Sequence, residues 1–294
     1  MSMRIQYLGT GAAEGVPAIF CNCNVCKTAR LRGGREIRTR SQVWIDGCIS
    51  MDFPPDAYMH SVRFGLDFSA MKHLFVTHSH MDHFYAHDFI LRGYKYAHGM
   101  TEPTLHIWCN AEVAKVFAEC TAREMTPQVG KGIELHVLKA YEPVCMDGYF
   151  VTPLPARHDC KEDCFVYHIR KGNANILYLN DTGRLYPEVY EYLKRVGAKF
   201  DLVSFDCTLG KETRGENARH MGIGDNMAVK AALEQCGVVD SSTRYVITHF
   251  SHNSGLLQET LAEMEKEYGV TAAYDGLEIR LHSEYKEENN EILP

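Results

Sequence analysis

The sequence contains no apolar run near the ~18–20 residues that a membrane-spanning helix requires. Its first residues, Met1-Ser2-Met3-Arg4-Ile5, pass straight into a strand-like pattern and lack the apolar core of a secretory signal. An excess of positive charge is also missing: 31 Lys plus Arg face 38 Asp plus Glu, a formal net charge of −7. That excludes binding through a broad basic surface, so neither membrane nor nucleic acid is an expected partner, while a local basic pocket for a small phosphorylated molecule remains allowed. No Ser- or Pro-rich linker, dividing charge block or fixed repeat interrupts the 294 residues. One domain over 1–294 is expected, with a homodimer left open. The cysteines number eleven, an odd count in a chain without an export signal, which argues against a disulfide scaffold and for a cytoplasmic location. The tail Glu284–Glu291 reads as a solvated end. What the sequence does have is fifteen His beside those eleven Cys, which directs attention to metals.

Runs rich in β-branched and aromatic residues predict strands at 4–8, 42–46, 73–77, 104–109, 133–138, 149–153, 165–170, 176–179, 202–205, 244–248 and 269–274. Helical patterns cover 82–97, 111–120, 187–196, 225–236 and 256–268. Two Gly- and Arg-containing stretches, Phe20–Ser41 and Cys207–Asp225, are predicted as long loops, a length that points to function. The pattern is α/β.

The strongest chemical signal is Thr77-His78-Ser79-His80-Met81-Asp82-His83, after a strand and at the start of a predicted helix. In an extended segment His78 and His80 project to one side and can grip one cation. After the turn, Asp82 and His83 point to a neighbouring position. Two pairs of ligands in six residues suit a two-metal centre. A second constellation is Cys21-Asn-Cys23-Asn-Val-Cys26. Three thiolates this close suit a closed structural zinc site if a fourth ligand arrives from elsewhere, and His252 in His249-Phe-Ser-His252 is the candidate. Arg92, Lys211, Arg214 and Arg219 are candidates for holding phosphate oxygens. The glycines of Gly9-x-Gly11-x-x-x-Gly15 lead into Val16-Pro17 rather than a helix, which excludes a dinucleotide-binding turn.

The His-x-His-x-Asp-His run resembles the hallmark of the metallo-β-lactamase superfamily. The resemblance implies a four-layer αββα sandwich with a two-metal site along one edge. It also implies ligands downstream, and His158, Asp181 and His249 follow in order at strand ends. By this carry-over His78, His80 and His158 hold one metal, Asp82, His83 and His249 the other, and Asp181 bridges them. Asp46, in Trp44-Ile-Asp46-Gly, matches the family's strand-end Asp and would orient the ligands.

The Cys motif narrows the resemblance. Together with Leu8-Gly-Thr-Gly-Ala-Ala-Glu-Gly-Val-Pro17, Val151-Thr-Pro-Leu-Pro155, Asn180-Asp-Thr-Gly183, Thr248-His-x-Ser-His252 and Tyr274-Asp-Gly-Leu-Glu278, it is similar to the bacterial phosphoribosyl cyclic phosphate phosphodiesterases of phosphonate breakdown. Segments around 98–150 and 211–216 fall outside the match. The resemblance implies a metal-dependent cyclic phosphodiesterase using two divalent cations (Mn or Zn) and one structural Zn. It implies 5-phosphoribosyl 1,2-cyclic phosphate opened to ribose 1,5-bisphosphate, with His220 as general acid. The alternatives are a tRNA 3′-processing-type nuclease, another small-ester hydrolase, a relative of the pyrroloquinoline quinone biosynthesis proteins, or a metal-binding protein without catalysis.

Overall fold

The structure is a computed structural model, and it describes residues 2–281; the tail 284–291 lies outside them. Two mixed sheets form its centre. The first has the spatial order β14 (Glu278–Leu281), β1 (Met3–Gly9), β2 (Gln42–Ile45), β3 (Ile49–Met51), β4 (His73–Phe75), β5 (Leu105–Cys109) and β6 (Ile133–Val137). The second runs β13 (Thr271–Ala272), β12 (Arg244–Thr248), β11 (Leu202–Asp206), β10 (Ala174–Leu179), β9 (Phe165–Lys171), β8 (Tyr149–Pro155) and β7 (Val144–Met146).

Three apolar clusters separate four layers. Alternate residues of β1 to β4, such as Ile5, Tyr7, Val43, Ile45 and Phe75, meet Tyr167, Ile169, Ile176 and Tyr178 of the second sheet. On the outer face of the first sheet Leu74, Ile107 and Cys109 pack under α3 (Ala111–Thr121) with Ala57 of α2 (Ala57–Phe64). On the outer face of the second, Leu177, Val203 and Ile247 pack under α5 (Pro187–Arg195), α6 (Ile223–Gln235) and α7 (Gln258–Tyr268). This is the αββα sandwich expected. Helices cover one side of each sheet, and the two sheets bury each other on the other. Among the described residues no helix is long and apolar enough to cross a membrane.

Three expectations are corrected. Residues 82–97 do not form a helix: Phe53 N donates to His83 O and Tyr85 N to Phe53 O, each at 2.7 Å, which draws this segment alongside Phe53 instead. Only a 3₁₀ turn, Ala86–Leu91, follows. The stretch 20–41 is not a bare loop either, since it holds α1 (Asn24–Arg32), whose N-cap is Cys23. The strand expected at 269–274 shrinks to Thr271–Ala272. The segment 98–150 supplies β5, α3, a short α4 (Pro127–Gly130), β6 and β7, completing both sheets.

Strand direction decides where the chemistry collects. β3, β4, β5 and β6 run parallel, as do β10, β11, β12 and β13. The segments after β4, β10, β11 and β12 carry His78, Asp181, Asp206 and His249, which meet at one edge. The turn after β1 reaches the same edge. Gly9 is required there because a Cβ would stand 1.9 Å from the carbonyl oxygen of Arg40.

Candidate active site

Five imidazoles converge at this edge, and each is held by one nitrogen from outside. His78 Nδ1 lies 3.0 Å from Thr77 Oγ1, and His83 Nδ1 lies 2.7 Å from Asp52 Oδ2. His80 Nε2 lies 3.2 Å from Asp159 Oδ2. His158 Nδ1 faces the carbonyl of Arg219 at 3.3 Å, and His249 Nδ1 lies 2.7 Å from Thr208 Oγ1. Outer partners of this kind fix ring orientation and leave the second nitrogen to point at a shared centre.

Those inward nitrogens meet each other. His158 Nε2 is 3.2 Å from His80 Nδ1, and His83 Nε2 is 3.3 Å from His249 Nε2. His78 Nε2 is buried without any hydrogen-bond partner, among the rings of His80, His83 and His158 at 4.4–4.6 Å. Asp181 Oδ2 stands among three of the inward nitrogens, 3.5 Å from His158 Nε2 and 3.7 Å from both His83 Nε2 and His249 Nε2. Asp82 Oδ2 approaches His83 Nε2 at 3.2 Å and His249 Nε2 at 3.9 Å. Two groups of donor atoms, His78/His80/His158 and Asp82/His83/His249, are each compact enough for one cation, with Asp181 beside both.

The electrostatics fit a cation. Burial lowers the basicity of His78, of His158 to about 4 and of His249 to about 3, so these rings offer lone pairs at neutral pH. At His83 burial acts the same way, but Asp82 and Asp52 outweigh it and raise the pKa. Burial pushes the Asp181 carboxyl up to about 8, with Asp206 adding to it. A buried acid and facing imidazole lone pairs carry unsatisfied negative potential, which a divalent cation relieves.

His220 joins this edge from the segment before α6. Its Nδ1 lies 2.6 Å from Asp181 Oδ1 and 3.0 Å from Asp206 Oδ2. Burial opposes its charge, but the two carboxylates raise its pKa to about 11. The ring borders a cavity shared with Arg214, Asn217 and Arg219. A larger cavity of about 630 Å³ adjoins it, lined by Lys139, Arg157, His158, Asp159, Tyr186 and Arg219. The approach is tight: at Gly183 a Cβ would stand 1.9 Å from the carbonyl oxygen of Ala218, so only glycine lets this segment bring His220 in.

Several sequence assignments are corrected. Asp46 does not touch the histidines; it accepts from Arg4 N and Lys171 Nζ, each at 2.7 Å, and from Tyr149 OH. The carboxylate that orients His83 is Asp52, which also takes Thr77 N at 2.8 Å. Topology explains the exchange. β2 is antiparallel to β3, so Asp46 after β2 lies at the far end of the sheet, whereas Asp52 after β3 lies beside the end of β4. Asp52 and His249 both take left-handed backbone, φ 61° and 63°. Arg92 donates to the carbonyls of Glu102, Pro103 and Gly132 and so ties two loops together away from the site. Lys211 faces Glu263 at 4.0 Å, and Arg214 is paired with Glu212 at 2.6 Å. Of the four basic candidates Arg219 lines both cavities, and Lys139 and Arg157, not singled out in the sequence, join it.

The second constellation also assembles. Cys21, Cys23, Cys26 and His252 place their donor atoms within 4.8 Å of one another. His252 Nδ1 lies 3.4 Å from Cys23 Sγ and 3.7 Å from Cys21 Sγ. Tetrahedral zinc with Zn–S of ~2.3 Å and Zn–N of ~2.0 Å spaces its ligands at about 3.5–3.8 Å, so the set fits. The backbone N–H of Cys26 helps pull the Cys23 thiol down to about 6, towards the thiolate a metal needs.

Comparison with known proteins agrees with this geometry. A sequence model described as the β-lactamase superfamily domain matches residues 44–250. A curated octanoyltransferase of Porphyromonas gingivalis (strain ATCC BAA-308 / W83) is 24% identical over 290 residues, covering 94% of this chain and 51% of the relative. The chain thus spans about half the length of that curated relative. Among solved structures, a diphosphatase from the PhnP family is 22% identical with a TM-score of 0.71, over 96% of this chain and 98% of that one. Zn²⁺-bound PqqB from Methylobacterium extorquens is 18% identical with a TM-score of 0.72, over 95% and 100%. The short form of human tRNase Z is 16% identical with a TM-score of 0.64, over 94% and 98%. At these identities the likeness is one of fold.

Proposed function

The chain belongs to the β-lactamase superfamily, and we propose that it is a metal-dependent hydrolase of a small cyclic phosphodiester, with 5-phosphoribosyl 1,2-cyclic phosphate opened to ribose 1,5-bisphosphate as the reaction. The observation that carries this is the pairing of a two-cation cradle with a proton-bearing imidazole. His78, His80 and His158 would hold one divalent ion, Asp82, His83 and His249 the other, and Asp181 lies beside both sets. Mn²⁺ and Zn²⁺ both suit such mixed His and carboxylate ligation, and a further Zn²⁺ would occupy the thiolate site. Divalent ions bound there would supply Lewis acidity to the phosphoryl oxygens and lower the pKa of water.

The chain's own residues do the rest. Asp206 and Asp181 hold His220 by Nδ1, so the proton it delivers to the departing sugar oxygen leaves from the opposite side of the ring. Lys139, Arg157 and Arg219 line the adjoining cavity and take the substrate's second phosphate. A net charge of −7 favours this small anion over a tRNA end. The reading implies a role in phosphonate metabolism and, because three thiols must stay reduced for zinc, a cytoplasmic setting.

The test is turnover of the ribosyl cyclic phosphate against 2′,3′-cyclic nucleotides, bis-p-nitrophenyl phosphate and a tRNA precursor, with Mn²⁺ or Zn²⁺ supplied. The reading expects kcat/KM to be highest on the ribosyl cyclic phosphate. Preference for the tRNA precursor, or no metal-dependent turnover of any of these, overturns it.

A further inference from the structure

At the end of the first sheet remote from His78 lies a cluster that the proposed reaction does not use. The parallel register of β5 and β6 pairs His106 with Glu134 and Trp108 with His136, so all four side chains share the face turned towards the second sheet. His106 Nδ1 lies 3.1 Å from His136 Nε2, and Glu134 Oε2 lies 3.3 Å from the first nitrogen and 3.8 Å from the second. Three donor atoms therefore converge on one point near the surface.

The neighbours narrow what that point can hold. His73, stacked on His106 with ring centroids 5.3 Å apart, is already spent. Trp108 Nε1 donates to His73 Nδ1 at 3.2 Å, which leaves the proton on Nε2 to meet Asp147 Oδ2 at 3.0 Å. The pair His106 and His136 has no such fixed donor. His106 Nδ1, His136 Nε2 and Glu134 Oε2 can each offer a lone pair to the point between them. A cation satisfies all three. Tetrahedral zinc with ~2.0–2.1 Å bonds to nitrogen and oxygen spaces its ligands at about 3.3–3.4 Å, close to the observed 3.1 and 3.3 Å, and Glu134 is exposed enough to swing in from 3.8 Å.

We infer that His106, Glu134 and His136 form a further divalent transition-metal site, of Zn²⁺ type, separate from the hydrolytic centre and the thiolate site. Three protein ligands leave one position open to water, so the site is accessible and exchangeable. The same ligand set binds Cu²⁺ and Ni²⁺ by the general affinity order. The ion fastens β6, the edge strand of its sheet, to β5.

The experiment uses the full chain with its other metals loaded, dialysed against low-micromolar Zn²⁺ and analysed for metal per chain. Wild type should hold one more zinc than His136→Asn, with kcat the same in both. Glu134 is exposed, so Glu134→Gln keeps the fold intact, and it should weaken the extra zinc by at least the ~10–100-fold that even an outer-shell change costs. Cu²⁺ gives an independent readout, because the Trp108 ring is stacked 4.0 Å from His136. It should quench Trp108 emission in wild type and not in His136→Asn. Equal zinc content in wild type and both variants, or undiminished quenching in His136→Asn, shows a hydrogen-bonded cluster only and overturns the site.

Discussion

Oδ2 of Asp206 lies 3.0 Å from Nδ1 of His220, so a carboxylate at the end of β11 steers an imidazole fourteen residues later in the chain. The same carboxylate caps the turn, accepting from Thr208 N at 2.9 Å and Met221 N at 3.2 Å. Asp206 thus fixes both the ring and the segment that carries it.

If His220 donates a proton to the leaving oxygen, His220→Ala keeps all metals and nearly the same Tm. Its kcat on a sugar-alkoxide leaving group falls by ~10²–10⁴, the usual worth of a general acid. On a p-nitrophenyl ester, whose leaving group needs little protonation, the loss is much smaller. Rates on both substrates and metal content settle it together. Equal loss on both, or loss of metal, removes the acid role.

Asp52 and Asp46 give opposite outcomes under the same change. Asp52→Ala leaves His83 Nδ1 with only Thr77 Oγ1 at 3.3 Å and should weaken metal binding by ~10–100-fold, read by competition with a chelator. Asp46→Ala should leave that affinity unchanged, since its partners are Arg4, Tyr149 and Lys171.

Asp46 carries a pH signature instead. Burial opposes its charge, but Lys171, Tyr149 and the Arg4 amide outweigh burial and hold its pKa below 3.8. A depressed folded pKa contributes stability that is complete above the unfolded value and is lost as pH falls through the folded one. The Tm difference between wild type and Asp46→Asn should therefore be constant from neutral pH down to about pH 5 and close below about pH 4. A difference that widens in acid contradicts the pairing.

Replacing Cys21, Cys23 and Cys26 by Ala should remove one zinc and lower Tm while the hydrolytic metals remain. Structural zinc contributes up to ~10–16 kcal/mol of apparent binding energy against a domain stability of ~5–15 kcal/mol. An unchanged metal count and Tm in the triple variant would dismiss the site.

Much of this was legible before any coordinates. His-x-His-x-Asp-His and the Cys triad are local patterns, and local patterns survive folding because neighbours in sequence stay neighbours in space. The outer partners were not legible: Asp52, Asp159, Thr208 and Asp206 carry no motif, and they reach their rings only because parallel strands end at one edge. Asp46 was misplaced for this reason, since a strand-end aspartate shows which end of the sheet it serves only once strand direction is known. The helix expected at 82–97 failed because its periodicity competes with backbone hydrogen bonds to Phe53, which no local pattern announces.

Asp52 and His249 hold their side chains in place with left-handed backbones that glycine would adopt more easily. Each such residue costs the native state of the order of 1–3 kcal/mol. At both positions the hydrogen bonds that hold the side chain, Asp52 to Thr77 and His83, and His249 to Thr208, must offset that main-chain cost. A glycine at either position would relax the main chain and surrender the side chain on which the ion cradle depends.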